Sequence, residues 1–317
     1  MKPLLVVNPR SGGGTTARTF SAMRTAIERA LGPVEIAMTD RQGHGVELAR
    51  DGALAGHPLV IAVGGDGTLH EVVNGLMAAR ELHGVRGGNG ANATELGIIA
   101  LGTGGDFRKT LGIDHRLDKY LEAIASGRTR ALDVGRFTGG GKAAHYFVNV
   151  LSAGMGGLVD RYIADSSRAF GPTIAYFGAA ARALINVRLG NIVCNVTRAG
   201  ATEEHRIRSY MIAVCNGRYF GSGMHVAPMA AIDDGALDLI ALGATSKAGL
   251  AFTAGSSIYK GTHVRQPSTV HIRGEKFSLE IANDDARSAY LLDVDGEPLG
   301  SLPVSVEVVP RALVLRA

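Results

Sequence analysis

The sequence is poor in cysteine. Of its 317 residues only two are cysteine, Cys194 and Cys215, and both lie in apolar stretches typical of strands, without CxxC spacing. Disulfide-rich secreted domains and cysteine zinc knuckles both need more cysteines at characteristic spacings. The sequence therefore excludes these classes and predicts two buried free thiols.

Long apolar runs and clustered positive charge are also missing. No stretch approaches the roughly 20 apolar residues of a membrane-spanning helix, and the opening MKPLLVVNP is too short in apolar residues for a signal peptide. Lys and Arg exceed Asp and Glu by 33 to 29, without the clustering of a nucleic-acid binder. We expect a cytoplasmic protein with no nucleic-acid partner, whose mild positive charge suits an anionic ligand or peripheral contact with an anionic membrane.

Three common site motifs are absent. The chain has no GxxxxGK[ST] loop, no GxGxxG after its first predicted strand and no complete HExxH, because asparagine replaces the second histidine in HEVVN. These absences argue against a Walker-type phosphate loop, the usual dinucleotide fingerprint and a zinc protease. From their position alone, His70 and Glu71 are interpreted as residues of the first helical turn rather than as ligands.

Glycine, in contrast, is abundant. It accounts for 44 residues, about twice its usual share, and it follows no fixed period. The glycines instead cluster at the ends of apolar runs, where a backbone adopts positive φ or closely approaches a ligand. The clusters are Asn8–Gly14, Gly64–Thr68 and Leu101–Phe107, with a weaker one after Met38.

The first part of the chain alternates strand-like and helical patterns. Short buried runs rich in β-branched residues are separated by helical patterns at residues 15–31, 43–54 and 68–82. This alternation predicts a parallel sheet covered by helices over residues 1–132, an α/β domain. Residues 84–94 lack apolar periodicity and are predicted to form a surface insertion.

The second part has a different pattern. From residue 133 to 300 strand-like runs dominate, and helical patterns are confined to residues 157–189 and 246–259. Many strands with few helices predict an antiparallel β-sandwich. Residues 301–317 form a predicted final strand that either closes the sandwich or returns to the first domain.

The glycine clusters all follow predicted strands of the first domain. Because the carboxyl ends of parallel strands meet at one sheet edge, we expect the clusters to lie together there. Backbone N–H groups and helix N-termini at such an edge bind phosphates. A single cluster is explained as well by a tight turn, but the combination favours a phosphate site.

Acidic residues accompany these clusters and recur late in the chain. Mg²⁺ binds oxygen ligands and keeps several waters, so a few carboxylates beside a triphosphate suffice to hold it. Any one Asp-Gly pair is typical of a turn. Together with phosphate-type loops they indicate a nucleotide and magnesium site, and the candidates are Asp66, Asp106, Asp133, Asp234, Asp295 and Glu297.

Six stretches together resemble the motifs of the diacylglycerol kinase-like lipid kinases, between residue 4 and about residue 300. They are VVNPRSGGG, VGGDGTLHEVVNGL, LGIIALGTGGDFRKTLGI, LDVGRF, VCNGRYFGSGMHVAPMAAIDDGALDL and DVDGEPL. The family includes bacterial diacylglycerol and phosphatidylglycerol kinases and eukaryotic sphingosine and ceramide kinases. NAD kinases and 6-phosphofructokinases have loops similar to GGDGT, but the combination with GTGGDF, DDGALDL and DGEP is specific.

The resemblance implies a kinase that uses ATP and Mg²⁺ to phosphorylate a lipid substrate. Its active site would lie between a nucleotide-binding α/β domain, similar to that of NAD kinases and phosphofructokinases, and a β-sandwich domain. The nucleotide contacts that the resemblance implies are Asn8, Pro9, Arg10, Ser11, Gly12, Gly13, Gly14, Thr39, Gly64, Gly65, Asp66, Gly67, Thr68, Leu69, His70, Gly102, Thr103, Asp106 and Asp133.

The resemblance also implies a metal site and a catalytic base. A structural magnesium ion would be held by Asp234 and by the backbone carbonyls of Ala231 and Ala236. Glu297 matches the family's general base, with Asp295 close by, and a carboxylate suits this role because an attacking alcohol must lose its proton. Asp66 is expected to organise magnesium and nucleotide.

The chain departs from the family pattern at a few positions. Gly105 and His70 stand where asparagine is common, and Ala231 and Ala236 replace larger apolar residues. None of these departures removes a carboxylate that the mechanism needs.

Two other functions stay open at this point: a kinase of a soluble substrate such as NAD, and a non-catalytic protein that binds lipid or nucleotide. Residues 158–189 mix apolar, aromatic and basic side chains, so they either line the pocket of the acceptor lipid or meet the membrane, or they form an ordinary amphipathic core helix. The sequence is also compatible with a homodimer.

Overall fold

A computed structural model describes residues 1–85, 94–102, 105–139, 142–164, 172–243, 246–252 and 256–317. Thr103, most of the predicted insertion at 84–94 and part of the segment 158–189 lie outside the described residues. The described helices are α1 Thr15–Leu31, α2 His44–Ala55, α3 Asp66–Val85, α4 Asp106–Leu111, α5 Leu117–Ala125, α6 Met155–Ala164, α7 Pro172–Asn186, α8 Lys247–Phe252 and α9 Asp284–Arg287.

The described strands form two sheets. They are β1 Leu4–Val7, β2 Glu35–Met38, β3 Leu59–Gly64, β4 Glu95–Ala100, β5 Thr129–Gly139, β6 Lys142–Phe147, β7 Val150–Gly154, β8 Gly190–Arg198, β9 Ala201–Ser209, β10 Met211–Cys215, β11 Leu237–Leu242, β12 Thr269–Gly274, β13 Lys276–Ile281, β14 Leu291–Val294, β15 Glu297–Ser301 and β16 Val304–Arg316. The order in the first sheet is β2-β1-β3-β4-β16-β13-β8-β9, with β5 pairing to β16 and β6, and in the second it is β12-β11-β10-β7-β14-β15.

The first four strands form the parallel sheet that the sequence predicts. β1 pairs in parallel with β2 on one side and β3 on the other, and β3 pairs with β4. Every residue of β1 and β3 is buried, as expected for strands covered on both faces. The helix pairs α1–α5 and α2–α3 pack with this sheet into one apolar core, so the predicted α/β class is confirmed.

The second part is antiparallel, again as predicted. Strands β7, β10, β11, β12, β14 and β15 pair antiparallel in the second sheet, and β8, β9 and β13 pair antiparallel in the first. Side chains from both sheets meet in one apolar core, which includes Phe277 and Leu279 from β13 and Val214 from β10. Both cysteines lie buried and free in this core, as predicted.

The final strand joins the two parts. Val304–Val309 pair antiparallel with β5 and the start of β16 also pairs with β13, whereas Leu315 pairs in parallel with Leu96 of β4. β16 therefore does both things that the sequence left open: it extends the antiparallel strands and returns to the parallel sheet. The predicted boundary between residues 132 and 133 falls inside β5, because that strand accompanies β16 through both parts.

Several elements differ from the sequence prediction. The apolar run HYFVNVLSAG has the pattern of a single strand but is divided between the end of β6 and β7, with Val148 and Asn149 between them. β9 and the short helices α4 and α5 were not predicted. In β9 most residues from Ala201 to Arg206 are exposed and several are charged, so its apolar signal is weak. No helix among the described residues has the length and apolar character needed to span a bilayer.

Gly75 allows α2 and α3 to pack closely, because it has no side chain at their contact. A Cβ at this position would lie 2.4 Å from the carbonyl oxygen of Val46 and 2.8 Å from the Cβ of Ala49, both on α2. We expect Gly75→Ala to destabilise the protein by about 1–3 kcal/mol, because the overpacking outweighs the better helix propensity of alanine. The measurement is the urea unfolding midpoint.

Gly178→Ala is the matched control, because a Cβ on Gly178 of α7 would meet nothing within 4 Å. We expect this variant to be as stable as the wild type or more stable, by up to about 1 kcal/mol. Equal stability losses for the two variants would contradict the close contact at Gly75.

Candidate active site

The glycine clusters meet where the strand order reverses direction. The chain proceeds from β1 to β2 on one side and then to β3 on the other, so a crevice opens beyond the ends of β1 and β3. Asn8, directly after β1, donates its backbone N–H to Val63 of β3 at 3.0 Å and its side-chain Nδ2 to Thr68 Oγ1 at 3.2 Å. The structure thus brings the first two predicted clusters into direct contact.

The third cluster joins them through close backbone contacts. Leu101 N–H donates to the carbonyl of Gly64 at 2.7 Å. A Cβ on Gly102 would lie 2.8 Å from the Cα of Gly65, so this approach requires glycine. Gly12, Gly13 and Gly14 all have left-handed backbone angles and form the turn that leads into α1. The N-terminus of α3 lies directly after Gly65 and offers its unpaired N–H groups at this edge.

Asp66 is the first residue of α3, and the pKa of its carboxyl group is unusually high. Its Oδ2 accepts the backbone N–H of Gly105 at 3.0 Å. Burial, followed by the nearby carboxylates of Asp106 and Asp295, raises the pKa of Asp66 from 3.8 to about 6. The structure therefore collects three predicted acidic residues at the phosphate edge, and this excess of negative charge is what a cation relieves.

The backbone conformation at Gly105 restricts which residue types can occupy this position. Its φ is +55°, in the left-handed region, where it precedes the first residue of α4. Glycine and asparagine tolerate this region best, so the glycine found here conserves the backbone shape of a position where the family commonly has asparagine.

Asp106 is held from both domains. Lys109 donates to its Oδ1 at 2.7 Å, and the backbone N–H of Ser222, in the loop between β10 and β11, donates to its Oδ2 at 2.9 Å. Only 4% of Asp106 is exposed. The sequence analysis did not predict either partner. The pairing with Lys109 follows the i,i+3 spacing of helical ion pairs, whereas Ser222 is 116 residues away in the chain.

Asp295 is bound by the backbone rather than by solvent. Its two carboxylate oxygens accept the N–H groups of Val148, Asn149 and Val150, each at 3.0 Å, and His70 Nδ1 lies 3.5 Å from Oδ2. These three N–H bonds hold the carboxylate in one orientation, so its contacts give Asp295 a positioning role.

Asp295 and Gly296 form a two-residue hairpin turn between β14 and β15. Both have positive φ, +53° and +88°, the geometry of a type I′ turn, for which Asp-Gly is a preferred pair. Gly296 N–H also donates to Asp293 Oδ1 at 2.9 Å. The turn places Glu297 at the start of β15, and it lies at the Asp-Gly pair of DVDGEPL, which is typical of a turn.

Glu297 reaches across to the first domain. A Cβ on Gly67, at the start of α3, would lie only 2.7 Å from Glu297 Oε1. Gln42, in the loop after β2, donates to Glu297 Oε2 at 3.2 Å. The half-buried carboxylate thus lies at the phosphate edge, and Gln42 is a neighbour that sequence reasoning missed.

The side chains of His70 and Glu71 contact other elements in addition to forming the first turns of α3. His70 is buried beside Asp295, and Asn74 Nδ2 lies 3.4 Å from its Nε2. Glu71 accepts the N–H groups of Gly43 and Gly45 at 2.7 and 2.8 Å, which joins α3 to the N-terminus of α2. Both side chains line a cavity that starts at Glu297.

The remaining predicted nucleotide contacts are distributed around the same edge. Thr39 is buried after β2 and donates its N–H to Val7, while Ser11 Oγ lies 2.6 Å from Thr16 Oγ1. Arg10 is exposed, and its N–H donates to Asn8 Oδ1. Pro9 accepts the N–H of Ala17, and Leu69 belongs to the apolar core.

Asp133 has different surroundings. It is fully buried, and its two oxygens accept the N–H groups of Arg311 at 2.7 Å and Gly235 at 2.6 Å. Arg311 has φ +47° at the irregular point of β16. These contacts favour a role in fixing β16 against the loop before β11, and the nucleotide contact at Asp133 stays a prediction without support from them.

The residues predicted to hold the structural magnesium do not fit it as they are arranged. Asp234 Oδ2 pairs with Arg273 at 2.5 Å, and its Oδ1 accepts the N–H of Ala236. The guanidinium of Arg273 is thus paired with the carboxylate that would have to bind the cation. The site of Asp234, Ala231 and Ala236 stays a prediction with no supporting contact.

Asp66 fits a metal better. Within the described part of the chain no three His, Cys, Asp or Glu side chains are grouped as a metal site. Mg²⁺ bound to substrate phosphates needs only one or two carboxylates, because waters and phosphate oxygens complete its shell. Asp66 lies beside the phosphate-type loops and has neither the lysine partner of Asp106 nor the three N–H donors of Asp295.

Comparisons with known proteins agree with this architecture. The diacylglycerol kinase catalytic domain matches residues 2–137, and the YegS C-terminal NAD kinase beta sandwich-like domain matches residues 149–317. A "Probable lipid kinase YegS-like" of Chromohalobacter salexigens is 31% identical over 69% of this chain and 67% of its own length. A protein of the same name from Yersinia enterocolitica is 26% identical over 99% of this chain and 96% of its own.

Two further comparisons extend over most of the chain. The diacylglycerol kinase of Bacillus subtilis is 24% identical over 94% of this chain and 90% of its own length. A crystal structure of a diacylglycerol kinase from Bacillus anthracis superposes with a TM-score of 0.68 at 21% identity, covering 99% of this chain and 96% of the other. At this identity the likeness shows the shared fold.

Fold and site together define a two-domain protein with a kinase-type α/β domain and a β-sandwich-like domain. The chain belongs to the family of YegS-like and diacylglycerol kinase-like lipid kinases.

The raised pKa of Asp66 makes the stability of the protein depend on pH. The folded state binds the Asp66 proton more tightly than the unfolded chain does, so between about pH 4 and pH 6 stability falls as pH rises, and above pH 6 the full cost is present. We expect Asp66→Asn to be more stable than the wild type by about 1–2 kcal/mol at pH 8, with the difference vanishing near pH 4.

Urea unfolding in EDTA at both pH values measures this effect. Asp51→Asn, which changes an exposed carboxylate, should show no such gain at pH 8. A stability gain of Asp66→Asn that does not depend on pH would contradict a pKa near 6.

Proposed function

We propose that the protein transfers the γ-phosphoryl group of ATP to a hydroxyl of a lipid such as diacylglycerol, with Mg²⁺ as the metal. One observation carries the proposal: the second domain delivers the carboxylate of Glu297 to Gly67, at the N-terminus of α3, beside the glycine loops. A carboxylate at the phosphate edge can accept the proton of an acceptor hydroxyl aligned with the γ-phosphoryl group.

The surrounding residues have distinct roles in this proposal. The N–H groups of Gly65, Asp66 and Gly67, at the N-terminus of α3, hold phosphate oxygens and stabilise developing negative charge. Gln42 and the Asp295–Gly296 turn orient Glu297. Asp66 would hold Mg²⁺, which supplies positive charge to the phosphates when bound.

Lys109 keeps Asp106 in place beside Asp66. The other oxygen of Asp106 accepts the N–H of Ser222, which joins the first domain to the loop between β10 and β11. Positioning of this kind is most of what phosphoryl transfer demands from a protein.

Two alternatives compete with this function. A kinase of a soluble substrate such as NAD would use the same phosphate edge, and a non-catalytic relative would bind nucleotide without transfer. Incubation with labelled ATP, a lipid panel and NAD separates the three. Label in a lipid supports the proposal, label in NAD supports the first alternative, and tight ATP binding with no labelled product supports the second.

We also propose that the protein contacts the membrane peripherally through α6 and α7. Arg182 stacks at 4.2 Å over the ring of Tyr162, Arg188 lies 3.7 Å from Asp285, and Ile185 between them is 72% exposed. We expect the double variant Arg182→Glu/Arg188→Glu to bind anionic vesicles several-fold more weakly in co-sedimentation, because each basic residue adds about 1 kcal/mol near such a surface. Unchanged binding would assign these helices to the core alone.

A homodimer remains a proposal that the same preparation tests by light scattering.

Glu297→Gln tests the assignment of the base. The amide keeps the size of the side chain but cannot accept the proton, so we expect turnover to fall by roughly 10²–10⁴-fold while ATP affinity and thermal stability change little. Steady-state transfer to the best lipid of the panel, together with ATP binding, provides the measurement.

Glu280→Gln is the control, because Glu280 is an exposed residue of β13 and undergoes the same chemical change. It should keep wild-type turnover. If Glu297→Gln also keeps it, another group is the base. Asp295 is the next candidate by proximity, because its turn leads directly into Glu297.

A further inference from the structure

A cavity of about 360 Å³ extends from Glu297 along α3. Its lining includes a single face of α3, with His70, Asn74, Ala78 and Glu81, together with Tyr146 of β6 and Leu299 of β15. Its volume is within the range of pockets that hold small ligands. We call this cavity the α3 groove.

The α3 groove has a defined direction. His70 and Glu81 stand 11 residues apart on α3, about 16 Å along the helix axis. Glu297 and His70 lie at the end near the phosphate edge, and Glu81 accepts the hydroxyl hydrogen bond of Tyr146 at the other. A molecule that places a hydroxyl at Glu297 can therefore extend along the groove for the length of a lipid head.

The α3 groove is acidic. Glu71, Glu81 and Glu297 all line it, and no lysine or arginine is among the described residues of its walls. Two backbone N–H donors hold Glu71 at the groove, and the Tyr146 hydroxyl holds Glu81. Two histidines, His70 and His145, also line the groove. Arg136 interacts with Tyr146, is not among the described lining residues and is paired with Glu307 at 2.7 Å.

Apolar side chains also contribute to the wall. Val46 of α2, Ala78 of α3 and Leu299 of β15 offer carbon surface between the acidic groups. Such a lining suits a molecule with hydroxyl or amine groups on a hydrocarbon frame. A phosphate in the same place would meet carboxylates without a compensating cation, and one close like-charge contact is enough to weaken binding about tenfold.

We propose that the α3 groove binds the head of the acceptor lipid, and that Glu71 and Glu81 select an uncharged or amine-bearing head over an anionic one. This inference rests on the proposed function for the position of the reacting hydroxyl, but the selectivity of the groove can be measured by binding alone. Glu71 and Glu81 act here as specificity residues and do not touch the reacting atoms.

Short-chain soluble lipids test the groove directly. Dihexanoylglycerol supplies an uncharged head and dihexanoylphosphatidylglycerol an anionic one, and calorimetry measures the Kd of each for the full-length protein. We expect the wild type to bind the uncharged lipid at least about tenfold more tightly. The binding ratio is the Kd of the anionic lipid divided by the Kd of the uncharged lipid. Glu81→Lys should lower this ratio by about tenfold, and Glu81→Gln should lower it by less.

Two variants separate charge from damage to the wall. Tyr146→Phe removes the hydrogen bond to Glu81 but keeps the carboxylate, so the ratio should stay near that of the wild type. Glu122→Lys makes the same charge change on exposed α5, outside the groove, and should leave the ratio unchanged. A ratio that falls equally in Tyr146→Phe and Glu81→Lys would overturn the charge selection.

The transfer assay with ATP, run on the same two lipids, distinguishes failure of the inference from failure of the function. Phosphorylation of a lipid together with a binding ratio near one, or a ratio insensitive to Glu81→Lys, overturns the α3 groove and leaves the kinase intact. Selective binding without transfer to any lipid supports the groove and overturns the proposed reaction.

Discussion

The pairing of β5 with β16 is the constraint on which the arrangement of both domains depends. The two strands pair from Val304 to Val309 among the antiparallel strands and again from Leu313 to Arg316 beside the parallel sheet. At the irregular point between these stretches, the carboxylate of Asp133 accepts the N–H of Arg311. A buried charge held by backbone donors is costly to disrupt, so this ribbon gives the cleft a fixed geometry.

A second buried carboxylate transmits that geometry to the site. Asp295 accepts three consecutive N–H groups between β6 and β7, and its hairpin turn places Glu297 against the start of α3. The residue that reaches the phosphate edge therefore has its position determined by the sheet of the other domain. This division of labour explains why two neighbouring acidic residues have such different surroundings.

The acidic edge is built at a cost in stability. Asp66 lies near Asp106 and Asp295, and its pKa is raised first by burial and then by the repulsion of these two carboxylates. Lys109 offsets the charge of Asp106, and backbone amides offset that of Asp295. The uncompensated remainder at Asp66 matches what a phosphate-bound cation would supply in the proposed reaction, as is common at functional sites.

Much of this protein was determined by its sequence alone. The fully buried runs of β1 and β3 and the glycines that follow them specify a parallel sheet with open strand ends, because their patterns are local, and the Asp-Gly pair at 295–296 specifies a hairpin for the same reason. Only the tertiary structure decided that β16 pairs with strands of both parts of the chain, that Gln42 donates to Glu297, and that Arg273 forms an ion pair with Asp234. These outcomes depend on strand register and on contacts between residues far apart in the chain, and no local pattern encodes them.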